Sequence, residues 1–194
     1  AVRSVFTTST GVFSMASLPP GQYVLVETQP SGYLSVQELD ETNDMDTIVY
    51  NDPNDNVIPV TVEPQEIDAD NVFIEVPAPG LITGSVYQDF DGDQVPDPGE
   101  GLVGVTVSLY TDNNSDGVAD NNGFVNDTTT NSDGYYVLLN VIPGNYVIVE
   151  SQPANLQSVI DIDVTNDGDA VPNTDTHNDV IPVTVANGET DANN

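Results

Sequence analysis

Asp89, Asp91, Asp93, Asp97 and Glu100 stand at positions 1, 3, 5, 9 and 12 of the twelve-residue stretch from Asp89 to Glu100. That spacing suits a hard divalent cation, which takes six to eight oxygens on a near-spherical shell, and it is the ligand spacing of an EF-hand calcium loop. Val95, at position 7, offers its backbone carbonyl, and Glu100 has two oxygens to give. One feature departs from the helix-loop-helix version: Gln94 holds position 6, where glycine belongs, and Gly92 comes two residues earlier. The plain alternative is a solvated acidic turn, since Asp and Gly favour turns without a metal. Against it, five carboxylates in twelve residues with no cation nearby repel one another.

The flanks of this loop alternate like strands, Leu81–Tyr87 before it and Val103–Tyr110 after it. The sequence therefore places a calcium loop between two β-strands. A second loop repeats the oxygen spacing at Asp112, Asn114, Asp116 and Asp120, with Val118 as the carbonyl donor and Gly117 properly at position 6. Its position 12 is Gly123, so another group must complete that shell. A third, irregular cluster comprises Asp161, Asp163, Asn166, Asp167 and Asp169, mirrored by Asp40, Asn43, Asp44 and Asp46. These are metal candidates by ligand type alone, as sites of their own or as completions of the other loops.

The chain has 194 residues with 32 Asp+Glu against one Lys+Arg, a formal net charge of −31. So acidic a chain does not bind nucleic acid or anionic lipid through charge attraction. Such charge opposes compaction unless cations neutralise it or salt screens it, and a halophile's acidic surface is the rival explanation. The 38% hydrophobic content supplies a core, so general disorder is not expected. Cysteine is absent, which excludes disulfides and thiolate chemistry. No apolar run reaches the roughly 18 residues of a membrane span, and no signal peptide is visible, so the targeting segment of a secreted protein would lie outside this stretch.

Residues 1–71 align without a gap on residues 124–194, a shift of 123, with 30 of 71 pairs identical. Val57–Val62 matches Val180–Val185 at every position. This is a tandem array. We expect residues 1–76 to be the C-terminal part of one repeat, 77–80 a stiff Pro-rich linker, and 81–194 a second repeat lacking its final strand. The missing parts belong either to a longer tandem polypeptide or to neighbouring subunits that lend strands, as in donor-strand assembly. Candidate strands in the second repeat are 82–87, 103–110, 124–130, 135–139, 145–151, 157–164 and 180–185, with Gly, Pro, Asn and Asp between them. The fold class is all-β: tandem Greek-key β-sandwich modules, immunoglobulin-like or prealbumin-like, with interstrand calcium loops.

Gly84–Tyr87 leading into Asp89–Glu100, followed by Gly101–Leu109, Asp133–Tyr136 and Ile142–Val147, resembles the B-type repeat of serine-aspartate-repeat bacterial surface adhesins. The resemblance covers nearly all of the second repeat and the first from Gly11 onward. It implies a calcium-rigidified β-sandwich with several Ca2+ per module, strung in rows as a stalk at the cell surface. Its ligands would be Asp89, Asp91, Asp93, Asp97 and Glu100. The same core is similar to the wider collagen-adhesin B-type sandwich of pilins, with Tyr23–Tyr33 resembling the glutamate box. In many of those modules that glutamate assists a Lys–Asn isopeptide bond. This chain has no lysine, so the bond cannot form within it, and Glu27 and Glu150 read as ordinary strand residues near a turn.

Catalysis finds no constellation. His177 is the lone histidine and sits in an Asn/Asp/Thr loop, and abundant acidic turns explain the paired carboxylates. A ligand-binding adhesin is the second class, with Tyr87, Tyr110, Tyr135 and Tyr136 as contact candidates and a host or matrix molecule as partner. The structural class fits best: an extracellular load-bearing element whose partners are neighbouring copies of the same module.

Overall fold

In the computed structural model, described for residues 3–40, 50–52, 55–95, 97–163, 178–192 and 194, the chain divides into two compact units, Ala1–Val76 and Pro77–Asn194. Among the described residues there is no helix, and hence none long and apolar enough to cross a membrane. The first unit carries β1 (Gly21–Val26), β2 (Tyr33–Asp40), β3 (Tyr50–Asp52), β4 (Val57–Val62) and β5 (Asn71–Pro77). The second carries β6 (Gly80–Ser85), β7 (Thr106–Thr111), β8 (Phe124–Thr129), β9 (Tyr135–Val141), β10 (Gly144–Glu150), β11 (Val180–Val185) and β12 (Thr190–Asp191).

The second unit is a two-sheet sandwich. One sheet has the order β11-β10-β7-β8, the other β12-β6-β9. Side chains of a strand alternate between faces, so every second residue points into the space between the sheets. Val107 and Leu109 from β7, Tyr136 and Leu138 from β9, Tyr146 and Ile148 from β10, and Val183 and Val185 from β11 meet there around Ile82 and Val141. A fully buried aliphatic chain of this size contributes roughly 1.5–3 kcal/mol. This cluster is what offsets the repulsion of an acidic surface.

The 123-residue repeat is written into the backbone. β1 pairs with β4 from Gly21↔Val62 to Val26↔Val57, and β10 pairs with β11 in the same register, Gly144↔Val185 to Val149↔Val180. The Tyr23 hydroxyl donates to the Pro19 carbonyl at 2.6 Å, and its counterpart Tyr146 donates to that of Ile142. Left-handed turn residues recur in pairs too, Ser17 with Asn140 and Asn56 with Asp179.

The two copies differ where neighbours differ. Counterparts of β8 and β9 in the first unit, residues 1–6 and 12–18, form no strand where described. In the second unit those strands pair with β7 and β6, which have no counterpart in the first unit of this chain. Val147 on β10 is fully buried beside β7, whereas its equivalent Val24 on β1 is 58% exposed. Conversely, β2 lies between β3 and β5, while its counterpart 156–163 is irregular. The strand expected over 157–164 is therefore corrected: its alternation is right, but the described part, 157–163, forms none. A strand persists only with a partner for its backbone groups. Other boundaries shift by one to three residues. Tyr87 is outside β6 and makes an isolated bridge to Gly101. β12, which runs parallel to β6, was not foreseen.

Candidate metal centre

The loop after β6 is closed at its neck before any ligand is considered. Tyr87 bridges Gly101, and the Gln88 N–H donates to the Glu100 carbonyl at 2.9 Å. Inside the loop, carboxylates accept backbone N–H bonds in sequence. Asp89 accepts from Gly92 at 2.7 Å and from Gln94 at 3.2 Å, Asp91 from Asp93 at 3.2 Å, and Asp93 from Val95 at 2.8 Å. These bonds wind the chain so that alternate acids face one another. Carboxylate oxygens of Asp89, Asp91 and Asp93 lie within 4.8 Å of each other, and among the described residues they are the group of three acids arranged to hold a metal ion. A set of hard carboxylate oxygens fits a hard divalent cation.

Asp97 and Glu100 stand outside that group. Glu100 is buried, and its two carboxylate oxygens accept the N–H of Phe90 at 2.8 Å and of Asp97 at 3.0 Å. The expected two-oxygen ligand thus ties the two ends of the loop together here. Val95, the carbonyl candidate, is exposed. Gln94 takes φ = +62°, the left-handed conformation that the usual position-6 glycine adopts without strain. The Asp93 N–H bond lowers the Asp91 pKa, but desolvation and the charges of Asp93, Glu100 and Asp97 together raise it above its ordinary value. The acids of this loop feel one another.

The loop between β7 and β8 has the same wiring. Asp112, almost wholly buried, accepts from Asp116 at 3.1 Å and Gly117 at 2.9 Å, and Asp116 accepts from Val118 at 3.0 Å. Gly117 sits at φ = +74°, the equivalent of Gln94. Asn114 donates to Asp116 at 2.9 Å rather than presenting an oxygen there. Asp120 accepts from the Asn113 backbone, the Asn113 amide and Thr111, and those hydrogen bonds lower its pKa, the Asn113 backbone bond most. Of the third cluster, Asp44, Asp46, Asp167 and Asp169 lie outside the described residues, as do Asn43, Asn166 and His177. Asp40 and Asp163 occupy equivalent positions and are 1% exposed. Asp163 is near the core: burial first, then the charges of Asp191, Glu150 and Asp163, drives the Tyr136 hydroxyl pKa upward.

A second set of acids is built around Glu38, which the sequence reading does not single out. Glu38, fully buried on β2, accepts from the Ser35 hydroxyl and from the Asn56 N–H at 3.2 Å. Its counterpart Asp161 accepts from the Ser158 hydroxyl at 3.3 Å and from the Asp179 N–H at 3.1 Å. Beside them, burial, then the charge and hydrogen bond of Glu75, then the charge of Glu38, raises the pKa of Glu27. Its counterpart Glu150 is pushed up to about 7, by burial first and then by the charges of Asp179 and Asp161. Glu150 ends β10 and Glu27 follows β1, strand-end positions as expected, and both are in addition crowded by neighbouring acids. The recurrence of Ser and acid at 35/38 and 158/161 was the available signal.

The family model for the SdrD B-like domain matches residues 80–194, more than half of the chain and nearly all of the second unit. The chain belongs to the SdrD B-like domain family. Membership accords with the all-β sandwich and suggests a structural surface repeat. Among curated proteins the chain is similar to Colossin-B of Dictyostelium discoideum, 28% identical over 168 residues, which covers 76% of this chain and 4% of that protein. It is also similar to Colossin-A of the same organism, 28% identical over 150 residues, covering 77% of this chain and 1% of that protein. Both alignments are longer than the family-matched region, so the likeness reaches into the first unit. The SdrD B-like chain spans only a few per cent of either relative's length.

Proposed function

We propose that this chain is a structural repeat segment of an extracellular stalk or filament, stiffened by Ca2+ held in its interstrand acidic loops. The observation that carries the reading is the convergence of Asp89, Asp91 and Asp93 in a loop whose neck is fixed by the Tyr87–Gly101 bridge. Bound Ca2+ would be held by those three carboxylates, with the Asp112 loop as a further site, and supplies positive charge where acids crowd. The chain's own residues do the rest: backbone bonds to Asp89 and Glu100 hold the loop closed, and the strands on either side transmit that rigidity to both sheets. Family membership and the repeat support a load-bearing role without catalysis, with neighbouring copies of the module as partners.

Calorimetric titration of the full chain with CaCl2 tests this. Millimolar or tighter binding is expected, the range of extracellular modules, with magnesium weaker because it demands a smaller octahedral shell. The double variant Asp91→Asn/Asp93→Asn should lose one ion and keep the others. No heat of binding at millimolar calcium would remove the calcium reading.

A further inference from the structure

Among the described residues, the second unit has a cavity where the first unit has β5. A cavity of about 730 Å3 lies between the end of β6, Tyr136, Glu150 and the irregular stretch 156–162. The 123-residue correspondence shows what fills the same place in the first unit. There the counterpart of 156–163 is β2, and β5 lies beside it. Phe73 of β5 packs against Phe13 with ring centroids 6.3 Å apart. The counterpart of Phe13 is Tyr136, which lines the cavity. Glu75, two residues on and so on the same face, accepts from the Gln29 amide and is hydrogen-bonded to Glu27. Their counterparts Gln152 and Glu150 also line the cavity.

The entry point is prepared as well. β5 begins at Asn71, whose side-chain amide donates to Asp68. Asn194 makes the equivalent bond to Asp191 at 2.6 Å. β6 holds Asn194 in place: the Ser85 N–H donates to its carbonyl at 3.0 Å, and its own N–H donates to the Thr83 carbonyl at 3.3 Å. A Cβ on Gly84 would meet that Asn194 carbonyl oxygen at 1.9 Å, so this crossing requires glycine.

We propose that this groove is the acceptor for an extended strand of the β5 type, joined in tandem to Asn194 and inserted between β6 and residues 156–162. The proposal rests on the tandem-array reading above. Main-chain hydrogen bonds on both sides give such a strand its affinity, and alternate side chains give its specificity. An aromatic ring lies over Tyr136, and two residues later an acid meets the Gln152 amide and the Glu150 carboxyl. Burial raises the Glu150 pKa, with Asp179 and Asp161 adding to the effect, and a protonated Glu150 is the donor that an incoming acid needs. Residues 156–162 then gain the kind of neighbour that β5 is to β2.

The test compares the full chain with the same chain extended after Asn194 by a copy of residues 72–77, and with that extension carrying aspartate in place of its phenylalanine. Amide exchange is read at 156–162 and 85–88, with calcium and with chelator. At least about tenfold slower exchange at both segments is expected with the native extension only. Unchanged exchange at 156–162, or equal protection by the aspartate form, would overturn the proposal. If the unextended chain already protects 156–162 and runs as a dimer, a second copy's β5 is the occupant and the tandem source is wrong. A calcium effect that fails in the unextended chain bears only on the proposed function, and leaves the strand result standing.

Discussion

Glu150→Gln separates a crowded structural acid from an ordinary strand residue. In the fold, burial and then the charges of Asp179 and Asp161 lift the Glu150 pKa from 4.5 to about 7. Below pH 4.5 the carboxyl is protonated in both states and exerts no penalty. Between pH 4.5 and 7 the unfolded chain releases this proton while the fold retains it, so stability falls as pH rises. Above 7 the penalty is complete. Full desolvation would make it about 3 kcal/mol, and half-burial with solvent screening brings that to about 1–2 kcal/mol. Glutamine has the shape of the neutral acid and does not titrate. The variant should therefore match the parent at pH 4 and exceed it by about 1–2 kcal/mol at pH 8. Urea unfolding in chelator, followed by amide exchange within 77–194, reads this unit alone. A gain of equal size at both pH values, or a loss at pH 8, would refute the argument.

Two further substitutions probe the loop and the core. Gln94→Gly relieves a left-handed φ of +62° and should raise the urea stability of the second unit by about 0.5–1 kcal/mol, after allowing for glycine's greater unfolded freedom; a decrease would mean that the Gln94 side chain matters more than its backbone. Leu109→Ala empties a fully buried position in the second sandwich and should remove about 2–5 kcal/mol there, while amide exchange of β1 and β4 stays unchanged.

Much of this was legible in the sequence because alternation and turn residues are local signals. β7, β8, β10 and β11 lie within a few residues of their expected spans. What the sequence hides is whether a strand has a neighbour. Tyr33–Asp40 and 156–163 alternate alike, yet among the described residues only the first lies between two strands. β12 is two polar residues, Thr190 and Asp191, with no pattern to read; the parallel pairing to β6 defines it. In the site, ligand spacing singles out the Asp89 and Asp112 loops, and in both the spaced carboxylates accept backbone N–H groups, since spacing and turn chemistry coincide there. It did not show that Glu100 binds N–H groups, because a bidentate ligand and a loop-closing acceptor are the same residue in sequence. Glu150 ends β10, and the acids around it, Asp161 and Asp179, come from the irregular stretch 156–163 and from the residue before β11, an assembly that tertiary pairing alone creates.

The most direct measurement is a thermal melt of the full chain in millimolar calcium, in excess chelator, and in chelator with sodium chloride at matched ionic strength. Ions bound only by the folded state raise stability by mass action, whereas screening acts through ionic strength alone. Calcium-stiffened loops predict a large upward shift of the second unit's transition with calcium and only a small one with sodium chloride. Equal shifts from the two salts would show merely acidic turns, and would contradict the calcium account.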